Sequence, residues 1–151
     1  MNACVASGAG FLLAVLWFDL MFDVQAARQP AGMLPETVLS SIACYYARVT
    51  TSARPMNRLI ATVMLATLAA IVVEIVADAG IEGWVPWASL ALALGPILLA
   101  GGRTVPSAVR LGRREDSPDA QSALARSILA QHLYCFVSIA ALLALQLIAG
   151  R

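Results

Sequence analysis

Long apolar runs, separated by polar segments, set the pattern of the chain. Four runs are long enough to cross the hydrocarbon core of a bilayer, which is about 30 Å thick and needs about 20 apolar residues in a helix. They cover about residues 7–25, 57–77, 85–101 and 118–149. Period-two alternation, the mark of a strand, is absent from the sequence. The pattern predicts an all-α fold, in which residues 1–151 form one integral membrane bundle of four transmembrane helices.

The longest polar segment, residues 26–56, contains a second kind of helix. Pro35 and Glu36 open a short stretch in which apolar residues recur at helical spacing. Those residues are Val38, Leu39, Ile42, Tyr45, Tyr46 and Val49. The spacing predicts a short amphipathic helix that lies at the membrane interface or packs against the bundle.

Three other features shape the spans. The connection Asp78–Trp84 is short, so the second and third spans should be antiparallel neighbours. Gly95-Pro96 interrupts the third span and predicts a kink. Ser117-Pro118 is typical of a helix cap followed by proline in the first turn, so the last helix should begin there. From this start it is expected to run to about Ala149. At about 1.5 Å per residue, that helix exceeds the thickness of the bilayer.

The composition agrees with a membrane protein. Hydrophobic residues make up 60% of the chain and charged residues 13%, against roughly 25% charged residues in soluble domains. All the basic side chains are arginine, which together with the abundant alanine indicates a GC-rich genome and a bacterial source. The three cysteines have neither metal-site spacing nor a disulfide pattern. Nothing in the sequence indicates nucleic-acid binding.

Arginine placement predicts the orientation. Nine arginines lie in or beside the first and third connections, and only Arg151 lies on the other side. The nine are Arg28, Arg48, Arg54, Arg58, Arg103, Arg110, Arg113, Arg114 and Arg126. The positive-inside rule places both connections, and the amphipathic helix, in the cytoplasm and both termini outside it. Because the N-terminus lacks the basic stretch of a cleaved signal peptide, the first span is expected to stay in a multi-pass protein of the inner (plasma) membrane.

Asp19 and Asp23 are the most informative residues, because they stand four apart inside an apolar helix and share one face. An acid at membrane depth is costly and indicates function. With the predicted orientation, the only histidine, His132, lies at the same depth on the last span. The three are predicted to form an acid/base site near the cytoplasmic face. Alternatively, Asp23 is a helix end that is either solvated or paired with Arg28, Asp19 pairs with an arginine, and His132 is a hydrogen-bonded structural residue.

Further residues are expected beside this site. Arg58 or Arg103 would supply a counter-charge, and these two with Arg48 would hold an anionic group. Tyr45 and Tyr46 either line a ligand cavity or anchor the interface, and Gln131 would bind substrate. No metal site is predicted, since the carboxylate–histidine pairs of metal-binding bundles do not occur here; any cofactor stays open.

Three function classes are compatible with these features. The first is a membrane enzyme, or a binder, of a hydrophobic small molecule or lipid. The second is a small oligomeric transporter or channel for cations or protons, which would use Asp19, Asp23 and Glu74. The third is an accessory subunit whose acids pair with a partner membrane protein. The apolar middle of the spans argues against a pore within one subunit, so the first class is ranked slightly ahead.

Parts of the second half resemble a known family. The segment Val105–Leu111, Arg126 with Gln131-His132-Leu133, and the glycines at Gly8 and Gly10 resemble features of a family of small four-helix membrane proteins that includes the fungal anthrone oxygenases. The similarity covers about a third of the chain. It implies a cofactor-independent, oxygenase-like site near His132.

Overall fold

The structure, a computed structural model, describes residues 2–52, 54–77 and 83–149, which are helical almost throughout and contain no strand. Four helical segments are long and apolar enough to cross a membrane. They are Ala3–Ala27, Pro55–Ala77, Trp84–Arg113 and Pro118–Ala149. The predicted all-α membrane bundle is therefore confirmed, and the chain is a multi-pass membrane protein.

The described residues form six α-helices and two π-helical turns. The helices are α1 (Asn2–Ala27), α2 (Glu36–Ala47), α3 (Arg54–Ala77), α4 (Trp84–Leu99), α5 (Val105–Arg113) and α6 (Pro118–Ala149). The π-helical turn Arg48–Ser52 leads from α2 toward α3, and the π-helical turn Ala100–Thr104 joins α4 to α5. The predicted amphipathic helix is α2.

The third span differs most from the prediction. Pro96 lies inside α4, which continues to Leu99, and the chain then passes through the π-helical turn directly into α5. Arg110, which the sequence placed in a connection, is therefore helical. Proline in the first turn of a helix loses no intrahelical hydrogen bond, so Pro106 is compatible with the start of α5.

Two further predictions concern the connection between α3 and α4 and the cap at the start of α6. Asp78 and most of the predicted connection after α3 lie outside the described residues, as does Arg151. The helices on either side of that connection, α3 and α4, pack against each other. Ser117 caps α6 as expected, since its Oγ accepts the backbone N–H of Ala120 at 3.4 Å.

The four spanning helices form a ring in the order α1, α6, α4, α3. Its apolar core consists of buried side chains from all four: Val5, Ala9, Leu12, Ile71, Ala93, Ile139 and Leu142. Small residues allow close approach between membrane helices. At Gly8, a Cβ atom would lie only 2.1 Å from Thr67 Oγ1, so glycine is required for the contact between α1 and α3.

A second core closes one end of the ring, where α2 and α5 pack together against the ends of α1 and α6. Its buried residues are Ala26, Leu34, Leu39, Ile42, Ala43, Tyr46, Ala108, Leu111, Ala125 and Ile128. The two small helices cross where Gly112 meets the backbone of Ala47. This second core holds α2 over the ends of α1 and α6.

Arg126 of α6 fixes the end of α1. Its guanidinium donates to the carbonyl oxygens of Ala26, Pro30 and Gly32, the first at 3.1 Å. The last carbonyls of a helix have no intrahelical partner, and this side chain supplies one. The contact sets the height of α1 against α6, and with it the level at which Asp19 and Asp23 face His132.

We expect Gly112→Ala to destabilise the protein by about 1–3 kcal/mol, the usual cost of overpacking. The new Cβ would lie 2.8 Å from the backbone nitrogen of Ala47, so α2 and α5 must separate. The apparent Tm in detergent measures the effect. Gly10→Ala is the matched control, because a Cβ there meets nothing within 4 Å. Equal Tm values for the two variants would contradict the tight crossing.

Candidate functional site

The structure brings Asp19, Asp23 and His132 together. The two carboxylates share one face of α1 because their spacing is close to one helical turn, and that face meets His132 on α6. His132 Nδ1 lies 2.6 Å from Asp23 Oδ2, and Nε2 lies 3.9 Å from Asp19 Oδ2. The imidazole therefore stands between the two carboxylates.

Helix α2 adds two hydroxyl donors to this cluster. Tyr45 donates to Asp19 Oδ1 and Tyr46 donates to Asp23 Oδ1, each at 2.6 Å. The Tyr46 hydroxyl also lies 3.4 Å from His132 Nδ1. Tyr45 is held by stacking on Phe22, with ring centroids 4.0 Å apart. Asp19, Asp23, His132, Tyr45 and Tyr46, which together we call the acid–imidazole cluster, therefore join α1, α2 and α6.

Burial within the cluster is uneven. Asp23 is 0% exposed and Tyr46 is 2% exposed, whereas the side chain of Asp19 keeps 16% of its surface accessible. The alternative in which Asp23 is a solvated helix end is therefore wrong. The interior partners of Asp23 are His132 and Tyr46, which replace the expected Arg28.

These hydrogen bonds compensate for a costly burial. An ionised carboxylate in an apolar interior is tolerated only when it is paired and hydrogen-bonded, and Asp23 receives both an imidazole and a phenol. Burial, followed by the nearby carboxylates, raises the pKa of Tyr45 and of Tyr46. Both hydroxyls consequently keep their protons at neutral pH and remain donors to the two aspartates.

The geometry selects the basic atom of the imidazole. An ionised carboxylate only accepts hydrogen bonds, so with Asp23 in its ionised form the proton in the 2.6 Å contact belongs to Nδ1. In the neutral ring Nε2 is then the basic nitrogen, and its distance from Asp19 exceeds that of a hydrogen bond. A carboxylate that orients an imidazole through Nδ1 is the arrangement of a general base in catalytic triads.

Among the described side-chain contacts of Asp19, Asp23 and His132, none is with an arginine. Arg48, Arg58 and Arg103 have exposed side chains. The basic side chain that the structure describes beside both Asp19 and Asp23 is His132, so the imidazole occupies the place expected for an arginine counter-charge.

Gln131 serves a neighbouring contact. Its Oε1 accepts from Thr104 Oγ1 at 2.8 Å and its Nε2 donates to Ser127 Oγ at 2.9 Å. The residue therefore ties the π-helical turn Ala100–Thr104 to α6. One position along the helix turns the side chain by about 100°, which separates it from His132.

Two contributors could not be identified from the sequence. Phe22, which positions Tyr45, looked like one more apolar residue of the span; its only signal is that it lies three residues after Asp19. Arg126, which sets the height of α1, looked like a topogenic charge. Within the described ranges, no group of three or more His, Cys, Asp and Glu side chains is arranged to hold a metal ion.

The opposite end of the ring holds other buried polar residues. Gln146 Nε2 donates to Ser89 Oγ at 2.8 Å, and Glu74 is also buried there. The apolar core around Ile71 and Ile139 lies between these residues and the acid–imidazole cluster.

No protein family, curated protein or solved structure matches this chain. The fold and the cluster define it as a multi-pass α-helical membrane protein with a buried carboxylate–imidazole–tyrosine constellation. Any functional assignment therefore depends on these side chains themselves.

We expect Tyr46→Phe to destabilise the protein by about 1–3 kcal/mol, the cost of leaving a buried polar group without its hydrogen-bond partner. Tyr45→Phe, which removes the same hydroxyl beside the more accessible Asp19, should cost less. Unfolding by SDS in mixed micelles measures both. Equal losses, or a larger loss for Tyr45→Phe, would contradict the dependence of Asp23 on Tyr46.

Proposed function

We propose that the protein carries out acid/base chemistry on a hydrophobic small molecule or lipid, with His132 as the base. The observation that carries this proposal is the 2.6 Å contact between Asp23 and His132 Nδ1 in a buried setting. A positioned imidazole is the commonest general base in enzymes. The class of substrate follows from the surroundings of the cluster.

Four of the five members of the acid–imidazole cluster have a role in the proposed reaction. Nε2 of His132 takes a proton from the substrate, and the electron pair of the broken bond stays on the substrate. The resulting imidazolium is stabilised by Asp23 at Nδ1 and by Asp19 at Nε2. Asp19, the more accessible acid, then exchanges the proton with the surroundings. Tyr46 is a positioning residue, because it acts through Asp23.

The substrate class is supported by the outer faces of the two helices that carry the cluster. The exposed side chains of α1 and α6 at this level are large and apolar: Trp17, Phe18, Met21, Leu133, Tyr134 and Val137. A molecule dissolved in the bilayer would contact these faces. A substrate with an apolar body and one acidic or basic group fits such surroundings better than a freely soluble metabolite.

Transport and an accessory role are the alternatives. A proton or cation carrier would need a route from the cluster to Glu74, and the intervening core of Leu12, Ile71 and Ile139 is apolar. That core favours local chemistry over conduction. An accessory subunit would place its acids against a partner, whereas Asp23 is fully buried within its own chain.

The family resemblance suggests a more specific version of the proposal. In a cofactor-independent oxygenase, a base deprotonates the substrate and molecular oxygen is the oxidant. His132 would supply the first step. Incorporation of labelled dioxygen into a product would support this version, and a proton-transfer product without added oxygen would leave only the general one.

We further propose that the end of the bundle with the cluster faces the cytoplasm and that both termini lie outside it. The connections at this end carry nearly all the arginines, as the positive-inside rule requires of cytoplasmic segments. A reporter that fluoresces only in the cytoplasm should fail when fused after residue 151 and function when inserted near Glu115. The reverse result would overturn the orientation.

The state of the imidazole can be read directly, because His132 is the only histidine. In NMR spectra of protein that is labelled with ¹⁵N-histidine and purified without a histidine tag, we expect one proton signal from Nδ1–H, which its hydrogen bond to Asp23 shifts strongly downfield. Asp23→Asn should remove that shift, whereas Asp19→Asn should leave Nδ1 protonated. An Nε2–H tautomer in the unmodified protein would contradict the assignment of the base.

Activity is tested on reconstituted protein incubated with a bacterial lipid extract and analysed by mass spectrometry. We expect a change in at least one amphipathic component that His132→Gln reduces at least a hundredfold, the usual contribution of a general base. Gln131→Glu is the matched control, because it alters the neighbouring residue outside the cluster. Proton flux in the same vesicles that depends on Asp19, without any product, would favour the transporter instead.

A further inference from the structure

An exposed arginine follows each of the two residues at which α2 and α5 cross, Ala47 and Gly112. A Cβ atom on Gly112 would lie 2.8 Å from the backbone nitrogen of Ala47 and 3.1 Å from its Cα, so the backbones of the two helices nearly touch there. Arg113 follows Gly112 and Arg48 follows Ala47, and both arginine side chains are exposed. Two exposed arginines that are far apart in sequence are thus each one residue away from the same backbone contact.

Neighbouring arginines already have partners. Arg110 pairs with Asp116 at 2.7 Å, and Arg114 pairs with Glu36 at 2.8 Å. The hydrogen bond from each arginine lowers the pKa of its acid, so both acids stay ionised at neutral pH. Within the described ranges, Arg48 and Arg113 form no ion pair, and their charge is directed outward.

Arg58 extends this positive surface. The side chain of Asn57 donates to the carbonyl of Thr50 at 2.9 Å and so ties the first turns of α3 to the π-helical turn that begins at Arg48. Arg58 follows Asn57 and is exposed. Arg58 is therefore a third exposed cation, on a helix whose start is hydrogen-bonded to the π-helical turn after α2.

We propose that Arg48 and Arg113, with Arg58 beside them, bind the phosphate of an anionic phospholipid headgroup. The crossing lies at one end of the membrane-spanning bundle, where headgroups are found. The planar guanidinium binds phosphate through paired hydrogen bonds, and basic residues near the membrane surface attract anionic lipid. The proposal does not depend on the acid/base function.

The site would also act on the cluster indirectly. Arg48 directly follows α2, whose Tyr45 and Tyr46 donate to the two aspartates. Because Tyr46 is buried and Arg48 is exposed, the two side chains serve opposite faces of one short segment. A lipid bound to Arg48 would hold α2 by its exposed face, and the hydrogen bonds of Tyr45 and Tyr46 to the aspartates hold it by its buried face.

The test is native mass spectrometry of the full-length protein released from phosphatidylcholine nanodiscs that contain a minor fraction of phosphatidylglycerol. We expect the unmodified protein to retain phosphatidylglycerol in preference to phosphatidylcholine. Arg48→Gln with Arg113→Gln should weaken that retention at least tenfold, since the loss of a hydrogen bond to a charged group costs about tenfold or more. The matched control is Arg28→Gln with Arg103→Gln, which removes the same charge from exposed positions outside the crossing.

Three results would overturn the proposal. The first is that the unmodified protein shows no preference for phosphatidylglycerol over phosphatidylcholine, a result that needs no variant. The second is that the control pair loses as much phosphatidylglycerol as the test pair, which would mean that the total charge of the protein alone attracts the lipid. Inorganic phosphate at millimolar concentration would displace the lipid, which would make the site one for free anions. Retention that falls only in the test pair, with unchanged circular dichroism, supports it.

Discussion

A carboxylate buried at membrane depth has to be compensated, and the way in which Asp23 is compensated organises this protein. Its two oxygens receive one phenol hydroxyl and one imidazole N–H, from Tyr46 and His132. Those donors come from α2 and α6, so a single buried acid on α1 requires three helices to meet at one point. Removing either donor would leave a charge that the apolar surroundings cannot solvate.

The rest of the architecture keeps that meeting point in place. The ring of four helices supplies an apolar core on one side, and the smaller core made by α2 and α5 covers the other. Arg126 holds the end of α1 against α6, which sets the level of Asp23 relative to His132. Shape and hydrogen bonding thus act together: without the second core α2 would lack a support, and without Arg126 the acids would lack a fixed height.

The arginines at this end divide into two groups with different physical roles. Some are neutralised within the chain, as Arg110 is by Asp116, or donate to backbone carbonyls, as Arg126 does. Others, among them Arg48 and Arg113, direct their charge outward from a backbone crossing. Within the described residues, the individual contacts distinguish the arginines that are paired inside the chain from those that are exposed without an ion pair.

Local sequence by itself determined the presence of four apolar spans, the amphipathic helix and the cap at Ser117, because hydrophobic period and capping chemistry act over a few neighbouring residues. It also placed Asp19 and Asp23 on one face, since their spacing matches the helical turn. It did not determine the end of the third span, which continues to Arg113. Only the tertiary structure decided that His132 rather than an arginine stands between them, that Tyr45 and Tyr46 donate to them, and that Gln131 faces Thr104 instead. Those outcomes depend on how each helix is rotated about its axis and where it crosses its neighbours, and long-range packing, not local periodicity, sets both.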